Sequence, residues 1–214
     1  SIVLGQNKSK FHLKNHQNPG MMLTEYRRCA KEIISFCNEL CYDNKLIPLT
    51  KEKPCIYPRM GYAHIKGEKK SEEGSPYNIE EVEAIVAWVD KNKENIVKTS
   101  GKQNLNESIA IITPFTAQKR AIQKTLLSRK LYVDSVGTFH SMQGGQKPIV
   151  IFSSVYSENE KPDTMFFDLS PNMLNVAVSR AEMSFLVFGD MGIFDSEAHK
   201  TSSVLAKFLF CRQE

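Results

Sequence analysis

The residues of this chain best equipped for chemistry are arginines set in apolar or aromatic company. Arg180 stands in the run Met173-Leu-Asn-Val-Ala-Val-Ser-Arg-Ala-Glu-Met-Ser-Phe-Leu-Val-Phe-Gly-Asp. A guanidinium keeps its charge at any physiological pH and offers a rigid fork of donors. Among packed neighbours it calls for either a local carboxylate, Glu182 or Asp190, or a phosphate, whose geometry matches the fork. Arg27 and Arg28 form a second group directly after Tyr26. A third lies at His140-Ser-Met-Gln-Gly-Gly-Gln, where Gly144 and its neighbour, flanked by Gln143 and Gln146, could turn backbone N–H groups toward a phosphate or form a tight turn. His140 has no Ser or Cys nucleophile with an orienting carboxylate nearby, so it reads as a local hydrogen-bonding or nucleic-acid-contacting residue rather than a base.

The elements that must carry these groups follow from periodicity. Thr24 to Tyr42 has the three-and-four spacing of one helix face, with Thr24 as N-cap and Arg27 and Arg28 in the first turn, where the helix dipole disfavours cations unless an anion is bound. Residues 43–76 are loop-like, broken by prolines and glycines, around one strand at Tyr62–Ile65. Asn78 followed by Glu81 resembles a capping box opening a helix that ends near Lys93. From Ser108 the chain alternates strand and helix, the pattern of a parallel sheet crossed over by helices. Strands are expected at Ile109–Thr113, Leu131–Phe139, Ile149–Val155 and Ser184–Gly189, and helices at Thr116 to about Lys130, Met173 to Arg180 and Thr201 to Phe210. In open parallel sheets ligands gather at the carboxyl ends of strands. Thr113-Pro114, Thr138 to Gln146 and Gly189-Asp190 are therefore expected to form one functional edge.

Composition sets bounds. The 214 residues are 41% hydrophobic and 24% charged, enough for a real core, and the formal net charge of +4 permits an anionic partner without demanding one. No apolar run approaches a membrane span of roughly 20 residues, so no membrane partner is expected and the chain reads as cytoplasmic. The five cysteines are odd in number and lack metal-ligand spacing, and no metal ligands are assigned. Residues 1–22 read as a loop or poorly ordered end, and 23–214 as one domain. No Gly-x-x-x-x-Gly-Lys-Ser/Thr occurs, so the chain is not expected to hydrolyse ATP by itself.

Four ordered segments carry a resemblance. Leu23-Thr-Glu-Tyr-Arg-Arg is similar to the Gln-Tyr-Arg-Met-His-Pro segment of superfamily 1 helicases of the RNA-decay and replication type, and Ile111-Ile-Thr-Pro-Phe-Thr-Ala-Gln resembles their Ile-Thr-Pro-Tyr-x-x-Gln. Val136-Gly-Thr-Phe-His-Ser-Met-Gln-Gly-Gly-Gln resembles motif V, and Asn175-Val-Ala-Val-Ser-Arg-Ala resembles motif VI. The resemblance implies the C-terminal, RecA-like α/β domain of such a helicase: three layers, a mainly parallel sheet flanked by helices. It implies one wall of a cleft for ATP and Mg2+, both held mainly by an N-terminal P-loop motor domain. Arg180 would then be the arginine finger and Arg27 a second γ-phosphate contact, with Arg28 the alternative in register. Tyr26 would stack near the adenine, and Gly144 and Gln146 would adjoin the nucleotide. Thr113, Pro114, Thr138, His140 and Gln143 would meet single-stranded DNA or RNA, Gln143 and Gly144 also coupling that strand to the nucleotide. Two departures stand out: Gln146 replaces the usual Glu, and Arg-Cys-Ala replaces Met-His-Pro. A non-catalytic helicase-like module that binds nucleic acid or protein is the competing reading.

Overall fold

The computed structural model describes residues 24–139, 141–142, 145–158 and 162–211. The expected end segment 1–22 and the site candidates His140, Gln143 and Gly144 lie outside these residues.

The centre of the fold is a parallel five-stranded sheet. Its strands are β3 (Met60–His64), β6 (Ile109–Ile112), β7 (Val136–Gly137), β8 (Lys147–Ser153) and β9 (Ala181–Gly189), in the order β3-β9-β8-β6-β7. The inner strands are apolar on both faces because both faces are covered. Alternate residues divide between two cores: Ala110, Ile112, Val150, Phe152, Phe185 and Val187 pack on one face, Ile109, Ile111, Ile149, Ile151, Leu186 and Phe188 on the other. Helices α1 (Lys31–Cys41), α5 (Pro171–Val178) and α6 (Thr201–Phe210) cover the first face. On the second lie α2 (Ile79–Ser100) and α4 (Thr116–Ser128), while the short α3 (Leu105–Ser108) leads into β6. The three-layer α/β expectation holds.

Several boundaries differ from the sequence reading. Residues Glu25–Tyr26 form a strand, β1, paired in parallel with β2 (Ile47–Pro48), so the first helix begins at Lys31 and Thr24 caps nothing. Arg27 and Arg28 consequently precede the helix rather than occupy its first turn. Helix α2 runs past Lys93 because Ile96 continues the face of Val82 and Val89, and it stops where Gly101 takes a left-handed conformation at φ 66°. Only Val136–Gly137 of the expected strand at 131–139 pairs with β6. Leu131 and Val133 enter the core from an irregular segment, and an apolar run alone does not distinguish that from a strand. An antiparallel hairpin, β4 (Lys70–Glu72) with β5 (Ser75–Tyr77), lies largely in the stretch read as loop-like.

Strand register decides where the candidate residues fall. Gly137 is level with Ile112, and Ile112 is level with Phe152 near the carboxyl end of β8. Gly137 ends β7 at the carboxyl end of the sheet and Lys147 opens β8 at the amino end, two levels about 17 Å apart along the strands. Phe139 and Met142 pack against the core under α1, α5 and α6.

Candidate nucleotide and nucleic-acid site

The expected single functional edge is in fact two ends of one sheet. Thr113, Thr138 and Asp190 follow strands, at the carboxyl end. Gln146 and Arg180 precede β8 and β9, at the amino end. A residue after one parallel strand and a residue before the next are separated by the strand length, which motif spacing does not reveal.

At the amino end, α5 starts with Ser170, whose side chain accepts from the Asn172 amide, and Pro171 in the first turn. It ends at Ser179, and Arg180 folds back over that end. The guanidinium donates through Nε to Val176 O at 3.3 Å and through Nη1 to Gly145 O at 3.4 Å. Neither Glu182 nor Asp190 pairs with it: Asp190 sits at the far end of β9, accepting from the amides of Gly192 and Glu158. Among the described residues no carboxylate lies within ion-pair distance of Arg180. A cation over helix C-terminal carbonyls is favourable by itself, and three of its five N–H donors remain available for an oxyanion.

The other arginines arrive from 150 residues away in the chain. The Ala30 amide donates to Glu182 O at 2.8 Å, and the Cys29 thiol donates to Ser179 O at 3.7 Å. Gln146 Nε2 donates to the same Ser179 carbonyl at 3.2 Å. Cys29 is fully buried, and burial pushes its thiol up to about 11 against the lowering effect of its bond to Tyr26 and of Arg180 and Arg28. The half-buried Tyr26 hydroxyl lies 3.0 Å from the Cys29 sulfur, and burial pushes its phenol up too. Arg27 is exposed and pairs with Glu25 at 3.0 Å. Arg27 and Arg28 line a cleft of about 320 Å³ at the start of α1; Arg180 is not among its lining residues. Chain segments bearing the two sets of arginines are thus adjacent, but the guanidinium of Arg180 lies outside that cleft.

At the carboxyl end the two central motif residues are covered. Thr113 and Pro114 are buried, and the Thr113 hydroxyl has no hydrogen-bond partner among the described residues. The Thr113 amide donates to Gly137 O, while the amide of half-buried Thr138 donates to Ser141 Oγ. The first turn of α4 is likewise engaged, since the Ala117 amide donates to Ser75 Oγ of the hairpin.

Beneath them lies a buried polar cluster that sequence reasoning did not assemble. Asn78 does accept from the Glu81 amide, as a cap should, but the Glu81 carboxylate does not reach back to Asn78. The Asn78 amide donates instead to Gln118 Oε1, the glutamine of the Thr-Pro-Phe motif. Gln118 Nε2 donates to Ser153 Oγ, and Ser153 Oγ donates to Glu81 at 2.5 Å. The Val155 amide donates to the same carboxylate at 2.9 and 3.0 Å, holding this valine at φ 74°, a backbone state costly for a β-branched residue. Glu81 is fully buried, and burial pushes its carboxyl up to about 8, with those hydrogen bonds pulling it back and Asp190 adding to the rise. The start of α2, the Gln118 motif and the end of β8 therefore meet here as scaffold under the carboxyl end.

The described residues include no group of three or more His, Cys, Asp or Glu side chains that could hold a metal, and no helix long and apolar enough to cross a membrane.

Comparison with known proteins gives the class to which this fold belongs. A family described as "AAA domain" matches residues 7–192, and the chain belongs to that family. It is a superfamily 1 helicase-like C-terminal domain. Among similar curated proteins, "Probable RNA helicase armi" of Drosophila melanogaster is 27% identical over 76% of this chain, and helicase sen1 of Schizosaccharomyces pombe 28% identical over 83%. The chain spans 15% and 11% of the length of those two relatives. A solved structure described as the C-terminal domain of a possible DNA helicase from Lactobacillus plantarum superposes with a TM-score of 0.50, covering 86% of this chain and 94% of that one at 15% identity. That likeness concerns the RecA-like fold alone.

Proposed function

We propose that this chain is the C-terminal motor domain of an ATP-dependent nucleic-acid helicase or translocase. It forms one wall of a nucleotide cleft that a P-loop domain completes. Arg180 serves as the arginine finger, and Arg27 is a second γ-phosphate contact with Tyr26 beside the base. The single observation that carries this reading is the state of Arg180: a permanent cation held by two long bonds to carbonyls, unpaired with any described carboxylate, next to a second arginine-bearing segment. Such a group is fixed in place yet keeps donors for charge that develops on a transferring phosphoryl group.

Magnesium and ATP are held mainly by the P-loop partner, as the family resemblance implies. Alone, the chain is expected to be inactive. The strand track runs over the carboxyl end, with Thr138, His140 and Gln143 as contacts and Thr113 and Pro114 shaping it from below, since both are buried. Contacts of this kind go to backbone phosphates and do not depend on base sequence. Thr138 at the carboxyl end and Gln146 at the amino end belong to one motif, which couples strand to nucleotide.

A second reading is favoured by one observation. Gln146, where the resembled family carries Glu, directs its amide nitrogen to Ser179 O, so the chain could be a helicase-like binding module that has lost turnover. The test is strand-stimulated ATP hydrolysis by a polypeptide carrying this chain after a P-loop motor domain. Arg180→Ala is expected to lower kcat by about 10³-fold or more with unchanged folding. Hydrolysis at the same rate in the variant would remove the finger role, and no hydrolysis in either form would favour the binding module.

A further inference from the structure

The second face of the sheet carries a groove to which none of the four motif segments contributes. It opens between the last turns of α2, the start of α3 and the turn after α4, with a volume of about 630 Å³. Val97, Leu105 and Leu131 give it an aliphatic floor, and the two leucines continue into the core on that face. Tyr132 also lines it and is 72% exposed, an aromatic ring left in solvent beside unfilled apolar space. Lys93, Lys98 and Lys130 surround the floor, against one lining carboxylate, Glu94. Lys93 pairs with Asp90 at 3.1 Å, whereas among the described residues Lys98 and Lys130 meet no carboxylate. Lys98 lies in the last turn of α2 and Lys130 just beyond the end of α4, where the helix dipole holds a cation without a counter-ion. Lys130 keeps a side chain at φ 57°, in a left-handed position after a helix that favours glycine. The amide side chains of the lining are already engaged, Asn104 with Glu107 and Asn106 with Asp134.

We infer that this groove docks a short acidic peptide segment of a partner protein, with an aliphatic or aromatic anchor on the floor and carboxylates meeting the lysines around it. The lining selects that occupant by charge complementarity. Cations set at three separate points match carboxylates spread along a chain, which orients association, while the buried apolar contact supplies most of the affinity. A nucleic-acid strand is the poorer match, because it is held by successive stacking faces and by donors to phosphate. The described lining has one aromatic ring, no arginine, and side-chain amides that are already bonded. The groove also stands apart from both regions described above. It is at the amino end of the sheet, where Asn106 O accepts from Lys147 at the start of β8, and so away from Thr113 and Thr138. It lies on the face opposite α5, the helix that delivers Arg180. The inference is independent of any action of Arg180 on ATP, and its test needs no turnover.

The test is titration of the 214-residue chain into a fluorescein-labelled peptide, Glu-Asp-Phe-Leu-Asp-Glu, read by anisotropy, with amide chemical shifts locating the contact. Saturable binding is expected, weakening with added NaCl, with shifts centred on Val97, Leu105 and Tyr132. Replacing Phe-Leu of the peptide by Ser-Ser, or its acids by Gln and Asn, is expected to weaken binding about tenfold or more, since anchor and charge act together. Lys98→Gln/Lys130→Gln is expected to weaken it about fivefold, as two screened charge contacts permit. Tyr132→Ser removes only an exposed ring and is expected to weaken it by a similar factor. Lys51→Gln/Lys53→Gln, which removes the same charge on exposed residues elsewhere, is expected to leave binding intact, with circular dichroism confirming that all variants are folded. Absence of saturable binding would overturn the inference, as would equal affinity in the wild type and the Lys98/Lys130 variant, or shifts centred outside the groove. Equal binding of the Ser-Ser peptide would reduce the contact to general charge attraction and overturn it too. Oligo(dT) displacing the peptide at lower concentration would make the groove a nucleic-acid face instead.

Discussion

Replacing Glu81 by glutamine should abolish a pH dependence that the folded chain owes to one buried carboxyl. Glu81 is wholly enclosed, bonded to Ser153, Ser154 and the Val155 amide, and no described cation pairs with it. Burial lifts its carboxyl from an ordinary value of 4.5 to about 8, so the folded chain holds a proton that the unfolded chain has released. Between those two values the native state binds more protons, and stability must fall as pH rises. The contribution is complete below about 4.5 and is lost as pH passes through about 8. At about 1.4 kcal/mol per pH step, the window sets an upper bound of about 5 kcal/mol. Glu81→Gln keeps the shape and cannot ionise. At pH 6 it is expected to cost about 1 kcal/mol through less well matched hydrogen bonds, and above pH 8 the variant is expected to be the more stable form. Urea unfolding monitored by circular dichroism from pH 5.5 to 9 reads the difference between the two proteins, in which all other titrating groups cancel. A difference that stays constant across that range would refute the reasoning.

Two further outcomes follow from the same packing. Gly189→Ala places a Cβ against Ser154 Oγ and within 3.0 Å of Glu81 Oε1, and a loss of about 2 kcal/mol or more is expected in urea unfolding. An unchanged midpoint would show that the cluster can relax. Cys29 and Cys37 are fully buried with thiols pushed up by burial, so at pH 8 a thiol reagent should label exposed Cys211 and the half-buried Cys41 and Cys55 well before these two. Labelling of all five at one rate in the native protein would contradict the burial.

Much of this molecule is legible in the chain because the relevant information is local. Continuous apolar runs at 109–112, 149–152 and 185–188 mark strands buried on both faces, and Asn78 marks the start of α2 by a cap formed within three residues. The ordered motifs identify the helicase domain, and the chemistry of Arg180 follows from a charge that cannot be neutralised. What the sequence did not decide was distance across the fold. Glu25–Tyr26 become a strand only because Ile47–Pro48 is there to pair, which moves Arg27 and Arg28 off the helix. Glu81 reads as a capping residue and becomes a buried acid because Ser153 and Val155, more than 70 residues on, arrive beside it at the end of β8. Parallel register then separates Thr113 and Arg180 to opposite ends of the sheet, and gathers Lys51, Arg59 and Arg28 into one cleft. Hydrogen-bond ladders and burial are satisfied between segments far apart in the chain, so only the tertiary structure assigns those partners.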